Sequence, residues 1–193
     1  MTLLHLVGDA RWSYRVVLDL FEDGDSLAAS SLSMARRRFD SGLVTEIRTA
    51  LLGVWDDHRG VSEEALWHGY SPHVVDGTKI TVPRELLKEG FRPSAGLYPH
   101  ALISILARIR DRVIVDVSTS SSWDERKQAH KHLEHLTSKD LVVYDSGFPS
   151  LAMLVAHAGT GIGGVFRVKS TRSFKEITNF LRSTENDAYV TIK

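Results

Sequence analysis

The sequence contains no cysteine, so it cannot form a disulfide-linked scaffold or a metal site built from thiolates. Neither sign of charge dominates, because 24 Lys and Arg residues stand against 24 Asp and Glu residues. This balance argues against a protein whose whole surface attracts nucleic acid, but it leaves room for local basic patches. The 193 residues are enough for one domain with a sizeable core and a small additional one.

Long hydrophobic runs are also missing, since no stretch approaches the roughly 18 apolar residues that a membrane-spanning helix needs. The first seven residues are apolar, but they include His5 and are followed at once by Asp9 and Arg11. This start has neither the basic segment nor the apolar length of a signal peptide. The sequence therefore predicts a cytoplasmic protein with no membrane partner.

The hydrophobic pattern changes near Ser71. Up to Val54, apolar residues recur at spacings of three and four, which predicts three short helices. The acidic and polar stretch 56–70 predicts a connector. We therefore expect a helical region over residues 1–70 and a second domain over residues 71–193.

In the second domain the pattern favours strands that alternate with helices. Short β-branched runs predict four strands, at residues 73–83, 113–118, 141–144 and 164–169. Helical spacing predicts two helices, at residues 124–136 and 149–158. The dense apolar run 98–109 fits either a strand or a buried helix, and residues 189–193 resemble the beginning of a further strand. This order predicts an α/β fold with helices packed on a sheet.

Two aspartates stand where acids are structurally unfavourable. Asp76 follows Val74 and Val75, and Asp145 directly follows the predicted strand 141–144. A buried carboxylate is costly unless a metal, a cation or donated hydrogen bonds offset its desolvation. If the two strands are neighbours, the acids could bind Mg²⁺ or Mn²⁺, and a third acid would allow the two-metal arrangement of phosphodiester chemistry.

A simpler interpretation of the same two residues requires no function. Asp76 would begin an Asp-Gly turn, and Asp145 would cap the helix that follows Pro149. From the pattern alone this interpretation is favoured for each residue taken singly, whereas the pair together is more suggestive of a site.

Four stretches of the chain match a known family: VDGT at 75–78, PHALIS at 99–104, LVVYDSGF at 141–148 and GVFRVK at 164–169. They resemble the DDE transposases of bacterial insertion sequences, specifically the insertion-sequence-four group, over roughly residues 28–175. The resemblance implies a ribonuclease-H-like catalytic core that binds two Mg²⁺ ions. It also implies hydrolysis followed by strand transfer at the ends of transposon DNA, which would make the protein nucleoid-associated.

The resemblance assigns the first two catalytic and metal-binding acids to Asp76 and Asp145. Ser146 stands where the family has Arg in its second motif. The family's third acid is a Glu within a Tyr, Arg, Glu, Lys signature. Glu176 and Glu185 are the only glutamates after Asp145, and neither is flanked by the other residues of this signature. We therefore expect an incomplete ribonuclease-H-like mixed sheet, in a chain cut before its third catalytic residue and inactive alone.

Basic residues cluster in two segments where they could contact DNA. Arg36, Arg37 and Arg38 resemble the Arg-rich helix that precedes the catalytic domain in these transposases, and a helix-turn-helix is one interpretation of this region. The alternative is a helical cap packed on the sheet. The segment 165–182 holds five basic residues and one acid, and its candidate contacts to phosphate are Arg167, Lys169 and Arg172.

Two other interpretations stay open for the protein as a whole. It could be a non-catalytic DNA-binding remnant that competes with full-length transposase, or a decayed gene product without function. The expected partners are accordingly transposon-end DNA, a second copy of the chain, or a full-length transposase.

Three further motifs favour structural roles. The glycine-rich stretch 159–164 follows a helix and precedes a strand, which is the reverse of a dinucleotide-binding turn and predicts a simple connection. Ser122 and Glu125 have the spacing of a capping box. His130, His132 and His135 predict a solvated helix face more readily than a metal site.

Overall fold

The computed structural model describes residues 28, 30–31, 34, 38, 41–59, 66–93, 96–169, 174–189 and 191. The chain divides into two compact units, residues 1–60 and 61–193. In the described part of the first unit, helix α1 spans Ser41–Arg59 and corresponds to the third predicted helix. It continues into the stretch expected to be a connector. The first predicted helix and most of the second lie outside the described residues.

Six strands form one mixed sheet in the part of the second unit that the structure describes. They are β1 (Ser71–Thr81), β2 (Arg92–Pro93), β3 (Pro99–Arg108), β4 (Val113–Ser120), β5 (Asp140–Tyr144) and β6 (Gly163–Phe166). The order is β2-β3-β1-β5-β6, and β4 also pairs with β3. Strands β1, β3 and β4 are antiparallel, whereas β5 runs parallel to β1 and β6 parallel to β5. The prediction of an α/β fold with a mixed sheet is confirmed.

Helices connect these strands. A short 3-10 helix (Arg84–Glu89) follows β1, α2 (Glu125–His132) joins β4 to β5, α3 (Leu151–Thr160) joins β5 to β6, and α4 (Lys175–Phe180) follows β6. The sequence did not predict α4. The glycine-rich stretch is the helix-to-strand connection that was expected, and Gly161, with φ 71°, ends α3.

The expected capping box at Ser122 and Glu125 is wrong. The residue that caps α2 is Asp124, whose Oδ1 accepts a hydrogen bond from the backbone N–H of Lys127 at 3.2 Å. Asp124 places its carboxylate close to the unpaired N–H groups of the first turn, which is the position that an N-cap residue occupies. Helix α3 is capped in the same way by Ser150.

The ambiguous run 98–109 is strand β3, which lies between β1 on one side and β2 and β4 on the other. Every residue of β3 is buried or half-buried, so its sequence is dense in apolar residues and shows no clear period. The expected strand at the end of the chain is wrong for its described residues: Tyr189 and Thr191 belong to no strand, and Tyr189 is fully exposed.

The core lies on the sheet face that α2 and α3 cover. Val75, Leu106, Val142 and Tyr144 project from the strands and pack with residues of the helices and loops, namely Ala129, Leu133, Phe148, Met153 and Ile162. Because side chains alternate along a strand, the neighbours of these residues lie on the opposite face. There the apolar side chains Val74, Ile80, Val117 and Val165 are exposed.

Candidate functional site

Asp76 and Asp145 lie on neighbouring parallel strands. The last register pair of β1 and β5 is Val74 with Val143, and Asp76 and Asp145 each lie two residues beyond that pair. Because Val75 and Tyr144 both project into the core, both aspartates lie on the opposite face. The structure therefore places the two sequence-predicted acids just past the paired region of two neighbouring strands.

Asp76 lies within β1 rather than in a turn, so the Asp-Gly turn interpretation is wrong. Its side chain is exposed, and Oδ1 accepts a hydrogen bond from the backbone N–H of Gly77 at 2.8 Å. The next residue, Gly77, lies against side chains on the other face of the strand. A Cβ at this position would lie 3.3 Å from both Cγ of Glu125 and Cδ1 of Leu102. Glu125 therefore packs directly against the strand that carries Asp76.

Asp145 is the first residue after β5, and its side chain is 67% exposed. The hydrogen bond from the backbone N–H of Ser146 lowers the pKa of its carboxyl group, and the positive charges of Arg167 and Lys169 lower that pKa further. Nη1 of Arg167 lies 3.6 Å from Oδ1 of Asp145. Asp145 is therefore an ionised, solvent-facing carboxylate at neutral pH. It does not cap α3, because Ser150 holds that position.

The residue before Asp145 is anchored in the core. The ring of Tyr144 stacks on that of Phe166 with centroids 4.8 Å apart, and its hydroxyl lies 3.0 Å from Nε2 of His157. Nδ1 of His157 lies 3.0 Å from the carbonyl oxygen of Ile162. These contacts fix the end of β5 and hence the start of the loop that begins with Asp145. No sequence motif identified them.

The structure describes some of the predicted phosphate-binding residues. Arg167 and Lys169 follow β6 and are exposed. The backbone N–H of Arg167 donates to the carbonyl oxygen of Tyr144 at 3.0 Å, which keeps Arg167 beside Asp145. Arg38 is also exposed. Arg36, Arg37 and Arg172 lie outside the described residues.

A second polar cluster lies inside the core. Nδ1 of His132 is 2.8 Å from Oδ2 of Asp116, and its Nε2 is 3.0 Å from Oγ of Ser104. The three residue types are those of a hydrolytic triad, but Ser104 is only 1% exposed and no substrate could reach its hydroxyl. The cluster is therefore structural. His132 was expected on a solvated face; it is instead fully buried, because two hydrogen bonds satisfy both of its ring nitrogens.

The acid pair suits a hard divalent cation. Mg²⁺ is commonly held by one or two carboxylates and keeps several of its waters, and Asp76 with Asp145 offers such a set on an open face. In the part of the chain that the structure describes, no group of three or more His, Cys, Asp or Glu side chains could hold a metal ion. Two carboxylates alone would suit a single hydrated ion.

Searches against family models and against curated proteins find no match to this chain. Among the described residues, no helix has the length and apolar character needed to cross a membrane.

Proposed function

We propose that this chain is a transposase-like protein of the DDE type, in which Asp76 and Asp145 hold Mg²⁺ against a phosphodiester of transposon-end DNA. The observation that supports the proposal is the parallel pairing of β1 with β5, since Asp76 and Asp145 each lie two residues beyond the last register pair, Val74 with Val143. The mixed sheet of six strands is compatible with a ribonuclease-H-like core, in which the family resemblance would place such acids.

The roles of the side chains follow from their charges. Bound Mg²⁺ would act as a Lewis acid and lower the pKa of a coordinated water. Asp76 and Asp145 would fix the ion, and Arg167 and Lys169 would bind the phosphates on either side. Since no third acid joins the pair within the described residues, we expect this chain alone to be inactive, or nearly so, in DNA cleavage.

Metal-dependent DNA binding tests the proposal. Mg²⁺ should raise the affinity of the wild-type chain for a fluorescently labelled DNA duplex, because an ion held by Asp76 and Asp145 would offset their negative charge and attract a phosphate. In the Asp76→Asn/Asp145→Asn double variant, affinity in EDTA should already be higher than in the wild type, since two negative charges are gone, and Mg²⁺ should add nothing.

The matched control is the Asp57→Asn/Asp187→Asn double variant, which removes two exposed carboxylates elsewhere. Its response to Mg²⁺ should equal that of the wild type. An identical Mg²⁺ response in both double variants would contradict a metal site at Asp76 and Asp145. Robust Mg²⁺-dependent cleavage of transposon-end DNA by the purified chain, lost in Asp145→Ala, would contradict an incomplete catalytic site.

A non-catalytic DNA-binding protein is the second candidate function, favoured by the exposed cations Arg167 and Lys169. Under this alternative, DNA binding persists without any Mg²⁺ effect in Asp76→Ala/Asp145→Ala. Binding should then fall when charge is removed in Arg167→Gln/Lys169→Gln or at Arg36, Arg37 and Arg38.

A further inference from the structure

The loop that begins with Asp145 is a tight turn whose two ends are anchored in the core. The backbone N–H of Phe148 donates to the carbonyl oxygen of Asp145 at 3.1 Å, which closes a four-residue turn over residues 145–148. Tyr144, just before the turn, and Phe148, its last residue, are both buried, and their ring centroids lie 5.4 Å apart. Gly147, at the tip of the turn, is exposed. The core therefore holds the ends of the turn and leaves its tip to other contacts.

Arg126 of α2 holds this tip. Its Nε donates to the carbonyl oxygen of Gly147 at 2.9 Å. A hydrogen bond from a charged donor is stronger than one between neutral groups. A Cβ built on Gly147 would meet no atom within 4 Å, so on that side the tip lies in open space. The hydrogen bond from Arg126 thus joins the middle of the turn to α2.

Arg126 projects from a helical turn that is itself fixed. The carboxylate of Asp124 caps the start of α2. Gln128, two residues after Arg126, is buried, and its Oε1 accepts a hydrogen bond from the hydroxyl of Ser118 on β4 at 3.0 Å. The first turn of α2 is therefore tied to the sheet, and the side chain of Arg126 extends from a rigid base.

The same turn of α2 also contacts the strand that carries Asp76. Glu125, the residue before Arg126, lies so close to Gly77 that a Cβ there would be 3.3 Å from its Cγ. Two successive residues of α2 thus contact the backbone beside each of the two acids. Because α2 packs on the core face and both acids lie on the opposite face, Arg126 can act on Asp145 only through the backbone of the turn.

We propose that Arg126 is a positioning residue for Asp145: by holding the carbonyl group of Gly147, it fixes the turn and so the direction in which Asp145 presents its carboxylate. Residues that orient a metal ligand without touching the metal strongly affect metal affinity. This inference deepens the proposed function and rests on it, because the direction of the carboxylate matters to Mg²⁺ only if Asp76 and Asp145 bind the ion.

The affinity for Mg²⁺ alone tests the proposal, with binding followed by the NMR signals of the backbone amides of residues 145 and 146. Arg126→Met keeps the aliphatic stem but has no donor, and it should raise the Kd for Mg²⁺ by about 10-fold, the usual effect of losing a group that orients a metal ligand. Removal of a positive charge by itself acts in the opposite direction, because it strengthens the attraction of a cation to the carboxylates. Weaker binding would therefore report the lost hydrogen bond and not the lost charge.

The matched control is Lys127→Met, which removes an exposed cation from the next position of the same helix. It should bind Mg²⁺ at least as tightly as the wild type does. Equal Mg²⁺ affinity of Arg126→Met and Lys127→Met would overturn the proposal.

Hydrogen exchange in EDTA tests the turn without any metal. The N–H of Phe148, which closes the turn, should exchange faster in Arg126→Met than in the wild type and at the wild-type rate in Lys127→Met. The N–H of Leu154, which donates to the carbonyl oxygen of Ser150 in α3, should exchange at the same rate in all three proteins and so report an intact fold. An unchanged rate at Phe148 in Arg126→Met would overturn the proposal.

The same measurements separate this inference from the proposed function. If Mg²⁺ binding is equal in the wild type and in Asp76→Asn/Asp145→Asn, the metal site fails, and the role of Arg126 fails with it. If Mg²⁺ binding is lost in that double variant but is unchanged in Arg126→Met, the positioning role fails alone and the metal site stands.

Discussion

The hydroxyl of Tyr144 lies 3.0 Å from Nε2 of His157, in the buried layer immediately before Asp145. Nδ1 of His157 donates to the carbonyl oxygen of Ile162, so Nε2 can accept a hydrogen bond from the hydroxyl of Tyr144. Burial raises the pKa of Tyr144 far above its ordinary value, which keeps the hydroxyl protonated as a donor. One hydrogen bond therefore connects the last residue of β5 to α3.

Loss of this hydrogen bond should destabilise the fold. We expect Tyr144→Phe to lower the free energy of unfolding by about 1 to 3 kcal/mol, because it leaves a buried imidazole nitrogen without a donor. Urea denaturation measures the change. Tyr189→Phe removes the hydroxyl of a fully exposed tyrosine and should have no effect; equal stability of the two variants would contradict the structural role of the bond.

Stability should fall as the solution becomes acidic. Burial lowers the pKa of His132 from its ordinary 6.5, although Asp116 acts in the opposite direction. Burial likewise lowers the pKa of His73. The unfolded chain therefore binds protons at a higher pH than the folded chain does. The stability is complete above about pH 6.5 and is lost as the pH falls towards the lowered pKa values.

The measurement is the free energy of unfolding in urea between about pH 7.5 and pH 5, the range that brackets the ordinary histidine pKa. His132→Asn should lower stability at neutral pH and should also reduce its dependence on pH, since one of the two described histidines with a lowered pKa is gone. His130 is exposed, and His130→Asn should keep the wild-type dependence. A wild-type pH profile in His132→Asn would show that another group is responsible.

Substitution of two glycines by alanine should change the stability of the protein in opposite directions. At Gly164, a Cβ would come within 2.8 Å of Cε2 of Phe166 and 3.2 Å of Nδ1 of His157, and both rings are packed against Tyr144. We expect Gly164→Ala to destabilise the protein by about 1 to 3 kcal/mol through overpacking. At Gly159 in α3 a Cβ would meet nothing within 4 Å. Gly159→Ala should therefore stabilise the helix by up to about 1 kcal/mol.

Thermal or urea unfolding of the two variants, compared with the wild type, checks both signs. Destabilisation by Gly159→Ala, or a neutral effect of Gly164→Ala, would show that the packing around β6 and α3 differs from the structure.

The charge of Arg167 should have a measurable effect on the pKa of the Asp145 carboxyl group. Removing the guanidinium in Arg167→Ala should raise the pKa of the Asp145 carboxyl, which NMR titration of the labelled side chain can follow. The pKa should remain below its ordinary 3.8, because the hydrogen bond from Ser146 lowers it most and is retained. Arg84→Ala, a change at an exposed arginine on the 3-10 helix, should leave it unchanged. An unaltered pKa in Arg167→Ala would mean that the ion pair does not form in solution.

The sequence was sufficient to identify the elements whose periodicity is strong. The run VIVDVS predicted β4, and LVVYD predicted both β5 and the acid that follows it. The sequence could name Asp76 and Asp145, but it could not show that β5 pairs with β1 rather than with β4, its predecessor along the chain. A period of two shows which residues share a face of one strand and carries no information about the neighbouring strand.

The buried polar groups were the harder part to predict. His132 sits among Lys131 and other polar residues of α2, so it was expected on a solvated face of the helix. Its burial depends on Asp116 and Ser104 from two different strands.

The pairing of β1 with β5 joins residues that are far apart in the chain. Strands β2, β3 and β4 and helix α2 all lie between these two strands in sequence, so their pairing closes a long loop, which is slow relative to the closure of local turns. A divalent ion that needs both Asp76 and Asp145 would bind only the state in which this pairing is formed, and it would add its binding energy to the stability of that state.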